Sequence, residues 1–108
     1  MSLRCTTGRL LYRKKSTGAV RGREDFSITE NRDGTATLTA IASTDDSKFV
    51  RHVVYTKARD GRPRDVFVRL QVDGSMIGAG YFRLEGDTLH ITTDTAMTGH
   101  TVQILKVP

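Results

Sequence analysis

A recurring turn constrains this chain more than any other feature. Asp33-Gly34, Asp60-Gly61, Asp73-Gly74 and Glu85-Gly86-Asp87 punctuate it, and each stands between short segments that alternate in polarity. Thr35-Ala36-Thr37-Leu38-Thr39-Ala40 and Val66-Phe67-Val68-Arg69-Leu70-Gln71-Val72 are two such segments. Gly takes the positive φ that a tight hairpin demands, so Asp-Gly between period-2 runs is a strong short-range hairpin signal. The pattern predicts an all-β fold, a strongly curved antiparallel meander of about seven or eight strands that forms a half-barrel or roll. Strands are expected at about 8–13, 23–30, 35–43, 48–58, 64–73, 76–84, 87–93 and 100–107. No window holds a helical period for three turns. Pro63 falls at a strand start, where its missing N–H costs little.

With 108 residues the chain is one domain, residues 1–108, and its core is small. Only 37% of residues are hydrophobic and 6% aromatic, with no Trp, so folding rests on medium-sized Val, Leu and Ile. A half-open sheet, or one that needs a partner, follows from so small an apolar supply. The stretch from Arg13 to Arg23 is basic, polar and Gly-containing. It reads as a solvated loop, with contact to an anion or membrane surface as its functional alternative.

Seventeen Lys and Arg against twelve Asp and Glu give a net charge of +5, and the pI is 9.8. That balance suits an anionic partner. Arginines also serve as edge charges that block strand-to-strand aggregation, and their even spread favours this second source. Arg23-Glu24-Asp25 and Arg62-Pro63-Arg64-Asp65 read as surface ion pairs. A single Cys5 allows no intrachain disulfide. Met1-Ser2-Leu3-Arg4-Cys5 lacks the apolar stretch of a signal peptide, and no run reaches the length of a transmembrane segment. These features favour the cytoplasm. The periplasm stays open if Met1-Ser2-Leu3 is a cloning remnant on a shortened chain.

Alternation sorts each strand into two rows. One is almost wholly apolar and is the expected core face: Val50, His52 and Val54, then Val66, Val68, Leu70 and Val72, then Met76, Gly78, Gly80, Phe82 and Leu84. The other mixes aromatics with arginines. If the three strands are neighbours, Arg51, Tyr55, Phe67, Arg69, Tyr81 and Arg83 share one surface. On the plainer reading, arginine stems lie over the rings and shield them. On the functional reading, the rings take the apolar part of an amphiphile and the arginines its anionic head. Gly78 and Gly80 mark a bend or a close approach, and no helix pattern follows them that would make a phosphate loop.

No catalytic constellation is present. His52, His90 and His100 are scattered, and no spacing matches a zinc site. The Asp45-Asp46 pair lacks the series of a calcium loop. No metal or other cofactor is implied.

The succession Gly22-Arg23-Glu24-Asp25-Phe26-Ser27-Ile28-Thr29, Asp33-Gly34-Thr35-Ala36-Thr37-Leu38, Val54-Tyr55, Val68-Arg69-Leu70-Gln71-Val72-Asp73-Gly74 and Gly78-Ala79-Gly80-Tyr81-Phe82 resembles the spiral β-roll proteins of bacteria. These include glycolipid-binding domains and proteins resembling lipoprotein carriers. The resemblance spans roughly residues 8–93 and is a rhythm of strand and turn. It implies a long antiparallel sheet that curls around an apolar ligand or a helix. The present chain is shorter than a full roll, so it is either the first part of a longer protein or one of two chains that complete the roll together.

The first expectation is therefore a non-enzymatic binding module for a lipid or other anionic amphiphile. The second is a structural domain whose sheet face forms a homodimer, with no small ligand. Single-stranded nucleic acid comes third, on the same face, since no recognition signature supports it. An enzyme is the least supported class.

Overall fold

The computed structural model describes residues 4–45 and 48–108. Among these, eight strands form one antiparallel meander: β1 (Arg4–Arg13), β2 (Val20–Glu30), β3 (Ala36–Thr44), β4 (Phe49–Lys57), β5 (Pro63–Val72), β6 (Ser75–Glu85), β7 (Thr88–Thr95) and β8 (Gly99–Lys106). Spatial order equals chain order, with β1 and β8 as the edges, and the sheet is not closed into a barrel. The expected strands are all present. β1 and β2 reach further than expected and shorten the basic loop to residues 14–19. Asp94 and Thr95, expected in a connection, complete β7.

The turns behave as their residues require. Asp73 and Gly74 have φ of 50° and 80° and join Val72 directly to Ser75, the two-residue connection that positive φ permits. Gly86, at φ 60°, serves the hairpin that closes on the Glu85–Thr88 pair. The two longer turns share one design. Thr35 N–H donates to the Asp33 carboxylate at 2.9 Å, and Arg62 N–H donates to that of Asp60 at 3.0 Å. In each the following Gly takes φ 90°. The Asp side chain thus closes the turn that the Gly allows.

Registers decide the faces. Across β2 to β7, one row runs Phe26, Ala40, Val53, Val68, Gly80, Thr93. The next runs Ile28, Leu38, Tyr55, Val66, Phe82, Ile91. These rows make an apolar face, and the buried residues Ala40, Ala42, Gly22 and Gly78 all belong to it. The opposite face is rich in Thr and charge; one of its rows reads Arg9, Asp25, Ile41, His52, Arg69, Ala79, Asp94, His100.

This corrects the expected sorting of β4. Val53, with Arg51 and Tyr55, belongs to the apolar face, while Val50, His52 and Val54 belong to the other. The reason is a one-residue bulge. Lys57 pairs with Pro63, but Thr56 pairs with Asp65, so Arg64 is the extra residue. A shift of one residue moves every side chain of a strand to the opposite face relative to its neighbour. The expected rows of β5 and β6 hold over most of their length, where Val66 faces Phe82, Val68 faces Gly80 and Leu70 faces Gly78. A second register shift after Leu70 sets Met76 against Gln71 and Val72 against Ser75, so Met76 leaves the expected apolar row.

The sheet has no second layer among the described residues, and none of their large side chains is fully buried. Its radius of gyration is 16.4 Å, against about 13 Å for a compact domain of this length.

Candidate functional site

The six residues expected to form one binding surface divide between the two faces. Phe67, Arg69, Tyr81 and Arg83 share the Thr-rich face, where Phe67 pairs with Tyr81 and Asp65 with Arg83. Arg51 and Tyr55 lie on the apolar face, opposite Leu70 and Val66. On the Thr-rich face the arginines are engaged locally. The Arg69 guanidinium sits 5.6 Å from the centre of the Phe67 ring, within cation–π range. Arg83 donates to Glu85, which also lies 3.7 Å from His90. At Arg69 and Phe67 this is the shielding arrangement, a cation over an aromatic ring.

The apolar face carries a different constellation at one end, where β1, β2, β3 and β4 meet. A recess of about 500 Å³ opens there, lined by Leu11, Tyr12, Arg13, Arg21, Ala42, Thr44, Phe49 and Arg51. Arg51 comes from the start of β4. Ala42 separates it from Glu24, since Glu24, Ala42 and Arg51 are one row. The small Ala42 side chain, 6% exposed, lets the two long side chains meet above it. One Arg51 nitrogen, Nη2, donates to Glu24 Oε2 at 2.9 Å. The Arg51 Nε is buried and has no hydrogen-bond partner among the described residues. A buried donor left unmatched costs about 1–3 kcal/mol, so this atom invites an acceptor.

Arg13 and Arg21 reach the recess through the first hairpin. Arg13 pairs with Val20 and Tyr12 with Gly22, which makes Arg21 an extra, bulged residue. Arg13 also donates to the Gly18 carbonyl oxygen at 3.0 Å. Three arginines thus line the recess, and Glu24 is bonded to one of them. Phe49, Tyr12 and Leu11 supply its apolar part. Phe49 stands two residues before Arg51 on β4 and shares its face by alternation, while Tyr12, Arg13, Arg21 and Glu24 are not among the six expected site residues. The signal for Arg13 and Arg21 was the basic stretch from Arg13 to Arg23, where an anion contact was the alternative reading.

A second hollow, about 250 Å³, lies further along the apolar face over Gly78 and Gly80, walled by Val68, Leu70 and Phe82. The absence of side chains at the two glycines creates it.

Several other charges form cross-strand pairs. Arg9 donates to Asp25 at 2.6 Å, and this hydrogen bond holds the Asp25 carboxyl below its ordinary range. Asp25 and Glu24 thus pair with residues on other strands, whereas Arg23 lies 4.0 Å from Asp45 in the turn after β3. The acidic pair Asp45-Asp46 falls partly outside the described residues, since Asp46 and Ser47 are not among them. Among the described residues no cluster of His, Cys, Asp and Glu has the makings of a metal site, and no helix is long and apolar enough to cross a membrane.

No family model, no curated protein and no solved structure matches this chain.

Proposed function

We propose that this protein is a non-enzymatic binding module for an anionic amphiphile. The head group occupies the recess of Arg13, Arg21 and Arg51, and the apolar chain lies against Phe49, Tyr12 and Leu11 of the recess wall. The observation that carries this reading is the buried, unmatched Arg51 Nε beside an open recess with aromatic walls. Guanidinium groups suit carboxylate and phosphate because their forked donors match paired oxygens. The size of the recess lies within the range of small-molecule sites. The strand-and-turn resemblance to spiral β-roll proteins agrees with a lipid-like ligand, at the level of fold analogy.

Calorimetric titration with dodecyl phosphate, dodecanol and inorganic phosphate tests the proposal. Dodecyl phosphate binds, and both halves of the molecule alone bind at least tenfold more weakly. Equal binding of dodecanol would remove the role of the arginines. Equal binding of inorganic phosphate would reduce the site to a simple anion pocket.

A further inference from the structure

The chain exposes 7681 Å² of surface at a mass of 12.0 kDa, whereas a compact monomer of that mass exposes roughly 6,000 Å². The surplus of about 1,700 Å² measures what a second layer would cover. It belongs to a sheet whose two central apolar rows carry no charged residue from Phe26 and Ile28 on β2 to Ile91 on β7. Charges on that face stand at its margins, with Glu24 and Arg51 at one end and Glu30 and Lys57 at the other. An apolar centre with a charged rim is the anatomy of a protein interface. A hydrophobic sheet face must pack on another element to be stable.

From this we infer that a second copy of the chain covers the apolar face, so that two sheets stack face to face about a twofold axis. The size of the deficit chooses the occupant. Two copies together lack about 3,400 Å², which lies in the range of obligate homodimer interfaces. An amphiphile seated in a recess of about 500 Å³ leaves most of that surface uncovered. Stacking sheets interdigitate their inner side chains, and the hollow over Gly78 and Gly80 offers the partner a place to insert one. The inference stands apart from the ligand reading, because it uses the centre of the face and not the arginine recess.

Sedimentation equilibrium of the whole chain at micromolar concentration tests it, together with thermal unfolding across a hundredfold range of concentration. The expected mass is twice 12.0 kDa, and the midpoint of unfolding rises with concentration, as dimer linkage requires. Val68 and Phe67 are adjacent and lie on opposite faces. Val68→Glu therefore shifts the protein to monomer, or abolishes folding if the sheet cannot stand alone, while Phe67→Glu keeps the dimer. A wild type of monomer mass with a concentration-independent midpoint overturns the inference and leaves the face to another partner. So does a dimer that Phe67→Glu breaks and Val68→Glu spares. The Arg51→Met variant retains the dimer whether or not it binds an amphiphile, which keeps the two readings separable.

Discussion

Arg51 lies directly across from Leu70, and Arg69 directly across from His52, so the two arginines occupy opposite faces of one strand pair. The bulge at Arg64 causes this. Continuing the Lys57–Pro63 pairing without it would set Arg51 against Arg69 and gather arginines and aromatics on one side. The amphiphilic platform suggested by the sequence is thereby split into a shielded Thr-rich face and a recess at the end of the apolar face.

The split predicts unequal effects of two similar substitutions. A hydrogen bond to a charged group contributes about 1.5–3 kcal/mol, so Arg51→Met weakens dodecyl phosphate binding by about tenfold or more. Arg69→Met changes it by less than about twofold, since Arg69 sits over Phe67 on the far face. Calorimetry on both variants decides; a larger effect at Arg69 would return the site to the Thr-rich face.

Deletion of Arg64 removes the extra residue and leaves Lys57–Pro63 and Thr56–Asp65 as successive pairs of a regular ladder, so the other β4–β5 pairs keep their register. The expected outcome is a cooperative transition like that of the wild type, read by circular dichroism on heating. Arg64→Ala keeps the residue count and likewise retains the transition. Loss of cooperative unfolding on deletion would show that the bulge itself, and not the pairing on either side of it, is needed for the fold.

Two glycines make close approaches of different kinds. A Cβ at Gly22 would overlap the backbone carbonyl oxygen of Ser43, whereas at Gly8 it would meet the ring of Phe26. A ring can rotate away more easily than a backbone can move. Gly22→Ala is expected to cost about 2–3 kcal/mol and Gly8→Ala less than half of that. Denaturant titration ranks them, and the reverse order would place the tighter packing at the first edge.

Asp33 accepts hydrogen bonds from the Thr35 hydroxyl and N–H, and these hold its carboxyl below the ordinary value of 3.8. Its folded-state pKa is thus lower than its unfolded one. The resulting stability is present above pH 3.8 and disappears as the pH falls through the depressed value. Asp33→Asn should flatten this part of the acid-unfolding curve. The decisive readout is the slope of stability against pH below 4, and an unchanged slope would assign the acid sensitivity elsewhere, with Asp25 as the next candidate.

β8 is an edge strand that exposes Val102 and Ile104, at 62% and 64%, with no Lys, Arg, Asp or Glu between Gly99 and Leu105. Such an edge is a template for unwanted pairing. Ile104→Lys is expected to raise solubility and leave the unfolding midpoint nearly unchanged, as light scattering and a thermal scan would report. A large fall in the midpoint would mean that Ile104 packs against something the isolated sheet does not show.

The amino-acid sequence by itself determined the local architecture. Asp73-Gly74 and Gly86-Asp87 specify two-residue hairpins, and Asp33-Gly34 and Asp60-Gly61 specify longer ones, through the positive φ of Gly and the turn-closing Asp carboxylate. Period-2 alternation placed the strands between them, because strand geometry is a local property of the backbone. Alternation also sorted the side chains within each strand, but it could not align one strand with the next. That alignment depends on whether Arg64 is paired or bulged, and a bulge is chosen by the packing of both strands at once. Only the tertiary structure therefore decided that Arg69 faces away from Arg51, and only the β2–β3 and β3–β4 registers set Arg51 beside Glu24 over Ala42. The recess exists for the same reason. Its residues come from four strands, and they converge because registers accumulate across the sheet, a long-range property no single segment encodes.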